Sequence, residues 1–96
     1  MRMMIRWTVP AAEGNSTIKN GAMQESIASM LRDLKPEAAY FMASGGKRSG
    51  MMVFDMADPS QIPQIAEPLF QTFNADVEFV PVMNADDLQK AFSSLG

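Results

Sequence analysis

Five side chains in this 96-residue chain have types and positions that suit anion binding or acid–base chemistry: Arg6, Thr8, Tyr40, Asp55 and Glu78. Arg6, Asp55 and Glu78 each interrupt a mostly apolar run, so each falls on an expected strand. With the first strand between the third and fourth, Arg6 is bracketed by Asp55 and Glu78, and Thr8 and Tyr40 lie near the same chamber. A guanidinium there holds a carboxylate or an enolate, while a desolvated Asp55 or Glu78 with a raised pKa moves a proton. The plainer reading, and the favoured one, is that Arg6, Asp55 and Glu78 satisfy one another as structural ion pairs. Tyr40 likewise reads first as a core or interface ring with a solvated hydroxyl.

The residue inventory limits what else the chain does. It contains no histidine and no cysteine, so a histidine base, the commonest metal triads, a Ser-His-Asp nucleophile system and thiol chemistry are all absent. No metal or cofactor is expected. Asp86-Asp87 reads as helix-start charge rather than as an ion site. Gly45-Gly46-Lys47-Arg48-Ser49-Gly50 has the glycines and cations of an anion-binding loop, but not the GxxxxGK[ST] order, and a strand follows where a helix is required. It reads as a mobile turn. The ten methionines read as adaptable core filler, with a plastic apolar pocket as the sharper alternative.

An apolar fraction of 47% with 20% charged residues is ordinary for a globular chain, and the length suits one domain over residues 1–96. The net charge of -3 gives no general attraction for nucleic acid or for an anionic membrane. Arg2 and Arg6 break the first apolar run, so no secretory leader is expected there. No stretch approaches the ~18 to 20 apolar residues of a membrane span. With no cysteine present, the cytoplasm is the expected compartment.

The elements that would position the five residues follow from apolar periodicity. Met3, Ile5, Trp7 and Val9 alternate with Met4, Arg6 and Thr8, the period of a strand, which Pro10 closes. Ala11 to Asn15 reads as a loop. Ile18, Met23, Ile27, Met30, Leu31 and Leu34 then recur at helical spacing, predicting one helix with Gly21 inside it as a fraying point. Ala38 to Ala43 is the second strand, Ser44 to Gly50 a flexible turn, and Met51 to Met56 the third strand, together a hairpin. Asp58-Pro59-Ser60-Gln61 supplies a cap and a first-turn proline for a helix bearing Ile62, Ile65, Ala66, Leu69, Phe70 and Phe73. Pro68 is expected to kink or break it near Gln64 to Glu67. Val77 to Val82 is the fourth strand; Pro81 lacks an amide donor, so either the strand lies at an edge or the proline sits at its end. Asn84 caps a short terminal helix carrying Leu88, Ala91, Phe92 and Leu95.

The order βαββαβ plus a terminal helix matches the split βαβ plan: a four-stranded antiparallel sheet in spatial order 4-1-3-2 with both long helices on one face. A sheet with one wet face should alternate apolar with polar, and these strands do not. One parity gives Met3, Ile5, Trp7, Met52, Phe54, Met56, Val77 and Phe79; the other still gives Met4, Met51, Val53, Val80 and Val82. Helices on one side cannot cover both. A second copy packed sheet to sheet is the economical solution, so a homodimer is expected, unless the terminal helix folds over the free face of its own sheet.

On this element order, the chain resembles the dimeric α+β barrel superfamily of small ferredoxin-like proteins over nearly its whole length. Phe54-Asp55-Met56-Ala57-Asp58-Pro59-Ser60-Gln61-Ile62-Pro63, with Glu78-Phe79-Val80-Pro81-Val82-Met83, is similar to a group of small bacterial proteins of unknown function. The resemblance implies an interior that holds a small organic molecule, in a superfamily whose members include cofactor-free oxygenases, isomerases, haem-degrading enzymes and ligand sensors. Without histidine, haem degradation of the usual type is disfavoured. Two functions follow as expectations. One is small-molecule binding with metal-free proton transfer of an isomerase or cofactor-free oxygenase kind; the other is a non-catalytic interaction or ligand-sensing homodimer.

Overall fold

A computed structural model describes residues 1–96 in full. Alternation along β1 (Arg2–Val9) is realised strictly: Met3, Ile5, Trp7 and Val9 are buried, while Arg2, Met4, Arg6 and Thr8 face the other way and stay half-buried or exposed. The chain continues through α1 (Ala11–Lys19), α2 (Ala22–Leu34), β2 (Ala38–Ser44), β3 (Lys47–Asp55), α3 (Gln61–Phe73), β4 (Asp76–Pro81) and α4 (Ala85–Leu95). The sheet is antiparallel throughout in the order β2-β3-β1-β4, which is 4-1-3-2 read from the other edge. β4 is an edge strand and Pro81 its last residue, so the missing amide leaves no ladder bond unmade inside the sheet.

One face of this sheet carries the core. Met3, Ile5, Trp7 and Val9 of β1 pack with Met52, Phe54 and Met56, and are covered by Met30 of α2 and by Leu69 and Phe73 of α3. Gly50, opposite Trp7 in the β1–β3 ladder, makes room for the indole: a Cβ there would stand 2.2 Å from Trp7 Cζ2. Phe41, opposite Gly50 in β2, meets the indole edge-on, with ring centroids 6.2 Å apart.

Several expected boundaries are corrected. Ala11 to Asn15 is not a loop but the first turns of α1, because Pro10 sets the backbone for helix entry and Gly14 N–H donates to its carbonyl at 2.9 Å. Gly21 does not fray a single helix; it separates two, with φ at 84° and the Asn20 side chain accepting from Ala22 N–H. The turn between β2 and β3 is only Gly45-Gly46, both at positive φ, so Lys47, Arg48, Ser49 and Gly50 belong to β3 rather than to a mobile segment. The third helix begins at Gln61, whose side chain reaches back to accept from Ala57 N–H and Asp58 N–H. It runs unbroken through Pro68. Gln64 and Pro68 are exposed, so water can satisfy the freed carbonyl while Ala66, Leu69 and Phe73 hold the other side to the sheet.

The terminal helix is capped as its sequence indicates, but it does not roof its own sheet. Asn84 Oδ1 accepts from Asp87 N–H at 2.8 Å, and the Asp87 carboxylate accepts from Asn84 N–H at 3.0 Å and pairs with Arg2. No residue of α4 is buried, and Phe92 and Leu95 are 54% and 81% exposed. The molecule is correspondingly long, 54 by 27 by 17 Å.

Gly50→Ala should lower stability by about 1 to 3 kcal/mol through overpacking against Trp7, read as a fall in the denaturation midpoint and a shift in indole emission. A second expectation concerns acid. The Asn84 amide holds the Asp87 carboxyl below the usual carboxylate range, helped by Arg2, and the terminal ammonium does the same for Asp55. Both groups bind protons more readily unfolded than folded, so their stabilisation is present above the unfolded value of ~3.9 and lost as pH falls through the lower folded values. Circular dichroism against pH should show helix content declining first in that acid range, with Asp87→Asn removing the part that comes from α4.

Candidate functional site

The face of the sheet away from the helices takes its residues from the second parity of each strand. Its central row crosses all the strands in the order Glu78, Arg6, Met51, Tyr40; a neighbouring row runs Asp76, Thr8, Ser49, Met42 and another Val80, Met4, Val53, Ala38. Arg6 and Glu78 are therefore direct cross-strand partners, Arg6 Nε standing 3.9 Å from Glu78 Oε1, with both side chains about half exposed. Thr8 lies two residues along β1 on the same face, and Ser49 Oγ is 3.4 Å from its hydroxyl as donor. Tyr40 is on this face too, but Met51 separates it from Arg6. Two strand spacings put it roughly 10 Å away, with its side chain pointing to solvent.

Asp55 does not bracket Arg6. The β1–β3 register sets it opposite Arg2, four residues before Arg6 in β1, where it accepts from the N-terminal ammonium at 2.7 Å. Its side chain is 87% exposed, and that ammonium holds the carboxyl below its ordinary range, the opposite of what a proton-accepting carboxylate with a raised pKa requires. Thus Arg6, Glu78 and Thr8 come together, Tyr40 joins them only across an apolar strip, and Asp55 stands apart.

Arg2 was not singled out by sequence, yet it is the most heavily paired cation of the chain. Its Nε donates to Glu37 and its Nη1 to Asp87, tying the start of β1 to the entry of β2 and to the cap of α4. Its alternation with Met3 announces only an outward-facing residue; both partners are distant in sequence.

No cavity of the single chain is lined by Arg6, Thr8, Tyr40 or Glu78. The cavities lie toward the helices. One of about 130 Å³ sits between α2 and α3, and a groove of about 230 Å³ lies beside Trp7 and Phe41. No three acidic side chains converge as a metal cage, and no helix is long and apolar enough to cross a membrane.

The architecture is shared with solved structures of distant sequence. 5-Chloro-2-hydroxyhydroquinone dehydrochlorinase (TftG) from Burkholderia phenoliruptrix AC1100, in complex with 2,5-dihydroxybenzoquinone, is 12% identical and superposes with a TM-score of 0.66 over 90% of this chain and 97% of that one. The de novo designed protein Ferredog-Diesel is 8% identical, with a TM-score of 0.51 over 84% and 85% of the two chains. At such identities the likeness establishes the ferredoxin-like α+β fold and no chemistry. No functionally curated protein matches the sequence. A family described as "Domain of unknown function (DUF3303)" matches residues 1–96, and the chain belongs to that family.

Proposed function

We propose that the protein works as a homodimer, two copies packed sheet to sheet over the face bearing Arg6 and Glu78, and that the enclosed interior holds a small organic molecule. The observation that supports this is the state of that face. Met4, Met51 and Val53 are only half-buried although they lie on the two central strands, Val80 and Tyr40 on the edge strands are exposed, and no residue of α4 is buried against them. Apolar contact of this extent is worth roughly 25 cal/mol per Å² once removed from water. A second copy supplies the same surface in return.

Inside such an interior the Arg6–Glu78 pair would be desolvated, and a ligand carboxylate or enolate would compete with Glu78 for the guanidinium. Glu78, released, becomes a base suited to metal-free proton transfer of an isomerase or cofactor-free oxygenase kind, with Thr8 and Tyr40 as hydrogen-bonding groups at the margin. That TftG was solved with a small oxygenated ring is consistent with this ligand class. The cytoplasm is part of the same reading. The second reading, a non-catalytic interaction or ligand-sensing homodimer, is favoured by the existing approach of Arg6 to Glu78: if the pair stays closed in the dimer, neither group is free for chemistry.

Native mass spectrometry of protein taken from its own cells should give twice the 10.5 kDa chain mass together with a co-purified small molecule. Arg6→Ala should keep the dimer and lose the ligand. Met51→Lys, which sets a second cation against Arg6 in the middle of the buried face, should give a folded single chain. A wild-type chain that stays monomeric even at high protein concentration would overturn the proposal, and a dimer whose ligand survives Arg6→Ala would favour the sensing or interaction reading over catalysis at Arg6.

A further inference from the structure

On the opposite side of the sheet, the 230 Å³ groove has walls of Trp7, Val9 and Phe41 from the strands and Met23 and Ile27 from α2, with Arg48 at its rim. Met42 also lines it and Ser49 is its one uncharged polar residue; the two rings meet edge-on at 6.2 Å, Trp7 nearly buried and Phe41 half exposed beside it. Arg48 differs from the other arginines of the chain. Arg2, Arg6 and Arg32 each reach a carboxylate, whereas Arg48 has none, although acidic residues outnumber basic ones eleven to eight. One of its donors, Nη1, is used by Asn15 Oδ1 at 3.0 Å. The remaining N–H groups of the planar fork are without a protein partner.

Two glycines fix this arrangement. Gly50 lets the indole of Trp7 lie against β3, and Gly14 lets the Arg48 side chain lie against α1, where a Cβ would stand 2.8 Å from Nη1. The guanidinium is thereby held beside the apolar walls.

We infer that this groove is a binding site for a small aromatic carboxylate, its ring against Trp7 and Phe41 and its carboxylate on the Arg48 fork. Size sets the scale: a cavity of about 150 Å³ accepts benzene, so 230 Å³ has room for one ring with a carboxylate. Charge decides the functional group, since a bidentate carboxylate is the partner a guanidinium fork favours most and no acidic residue lines the groove to compete for it. The site faces away from Arg6 and Glu78, so it stands independently of the homodimer reading.

The probe is benzoate, with benzamide as its neutral isostere. Trp7 is the single tryptophan of the chain, so its emission reports occupancy directly, and calorimetry gives the affinity. Benzoate should bind and change the indole signal, and benzamide should bind roughly tenfold or more weakly, the worth of a charge-assisted hydrogen-bonded pair. Arg48→Gln, which keeps most of the stem, should weaken benzoate to the level of benzamide without lowering the thermal midpoint by more than a few degrees or changing the mass in solution. Arg6→Ala should leave benzoate binding intact, which separates this site from the one between the sheets. Equal binding of the two probes, no binding of benzoate, or full affinity in Arg48→Gln would each overturn the assignment.

Discussion

β1 lies in the middle of the sheet, and apolar residues point from it in both directions while helices stand on one side only. Met3, Ile5, Trp7 and Val9 meet α2 and α3 and become the core. Met4, a step away from Met3 on the same strand, is only half-buried, and its cross-strand neighbours Val53 and Val80 are equally apolar. The two faces of one strand cannot both be satisfied by two helices packed on one side, and the rest of the molecule is arranged around that mismatch. The capped terminal helix does not relieve it, because Arg2 and Asn84 fix its start at the sheet's end and its apolar stripe faces water as well.

The covered face owes its shape to small residues placed opposite large ones. Gly50 accommodates Trp7, and Gly14 accommodates Arg48; each would collide with a Cβ at the closest approach. In both cases a strand position or helix position gives up its own side chain so that a neighbour's can lie flat, and the groove beside Phe41 is what remains between those neighbours and α2. The ion pairs serve a different purpose. Arg2 ties the start of β1 to the entry of β2 through Glu37 and to the cap of α4 through Asp87, while Asp55 secures the N-terminus, and none of these is buried deeply enough to contribute much to stability by charge alone.

The fold was legible because alternation in β1 and the hairpin before α3 are local patterns, and they sufficed for strand order and for the edge position of β4. What escaped was set by contacts distant in sequence or by backbone detail. Ser44 to Gly50 looks mobile by composition, yet two glycines make the whole turn and the cations continue the strand. Composition alone leaves Arg48 in that turn, and its side of the sheet is defined only because β3 includes it. Gly21 marks a break that apolar periodicity alone runs straight through, since Ile18 and Met23 keep helical spacing across it. Pro68 alone predicts a kink or a break, and α3 continues through it with Ala66, Leu69 and Phe73 buried against the sheet. For the site, strand order puts Arg6 between the strands of Glu78 and Asp55, but register decides that Glu78 lies opposite it and Asp55 does not, and a strand's register is not written in its own residues.

The methionines allow the unpartnered face to be probed directly. Met4 and Met51 lie on it half-buried, Met52 and Met56 are sealed in the core, and Met1 and Met83 are exposed at the surface. Methionine oxidation footprinted by mass spectrometry, at high protein concentration and again on strong dilution, distinguishes a shared interior from a wet one. If two sheets close over each other, Met4 and Met51 are protected like Met52 when concentrated and become reactive as the dimer dissociates. Oxidation of Met4 and Met51 at the rate of Met1 and Met83 under both conditions would contradict it.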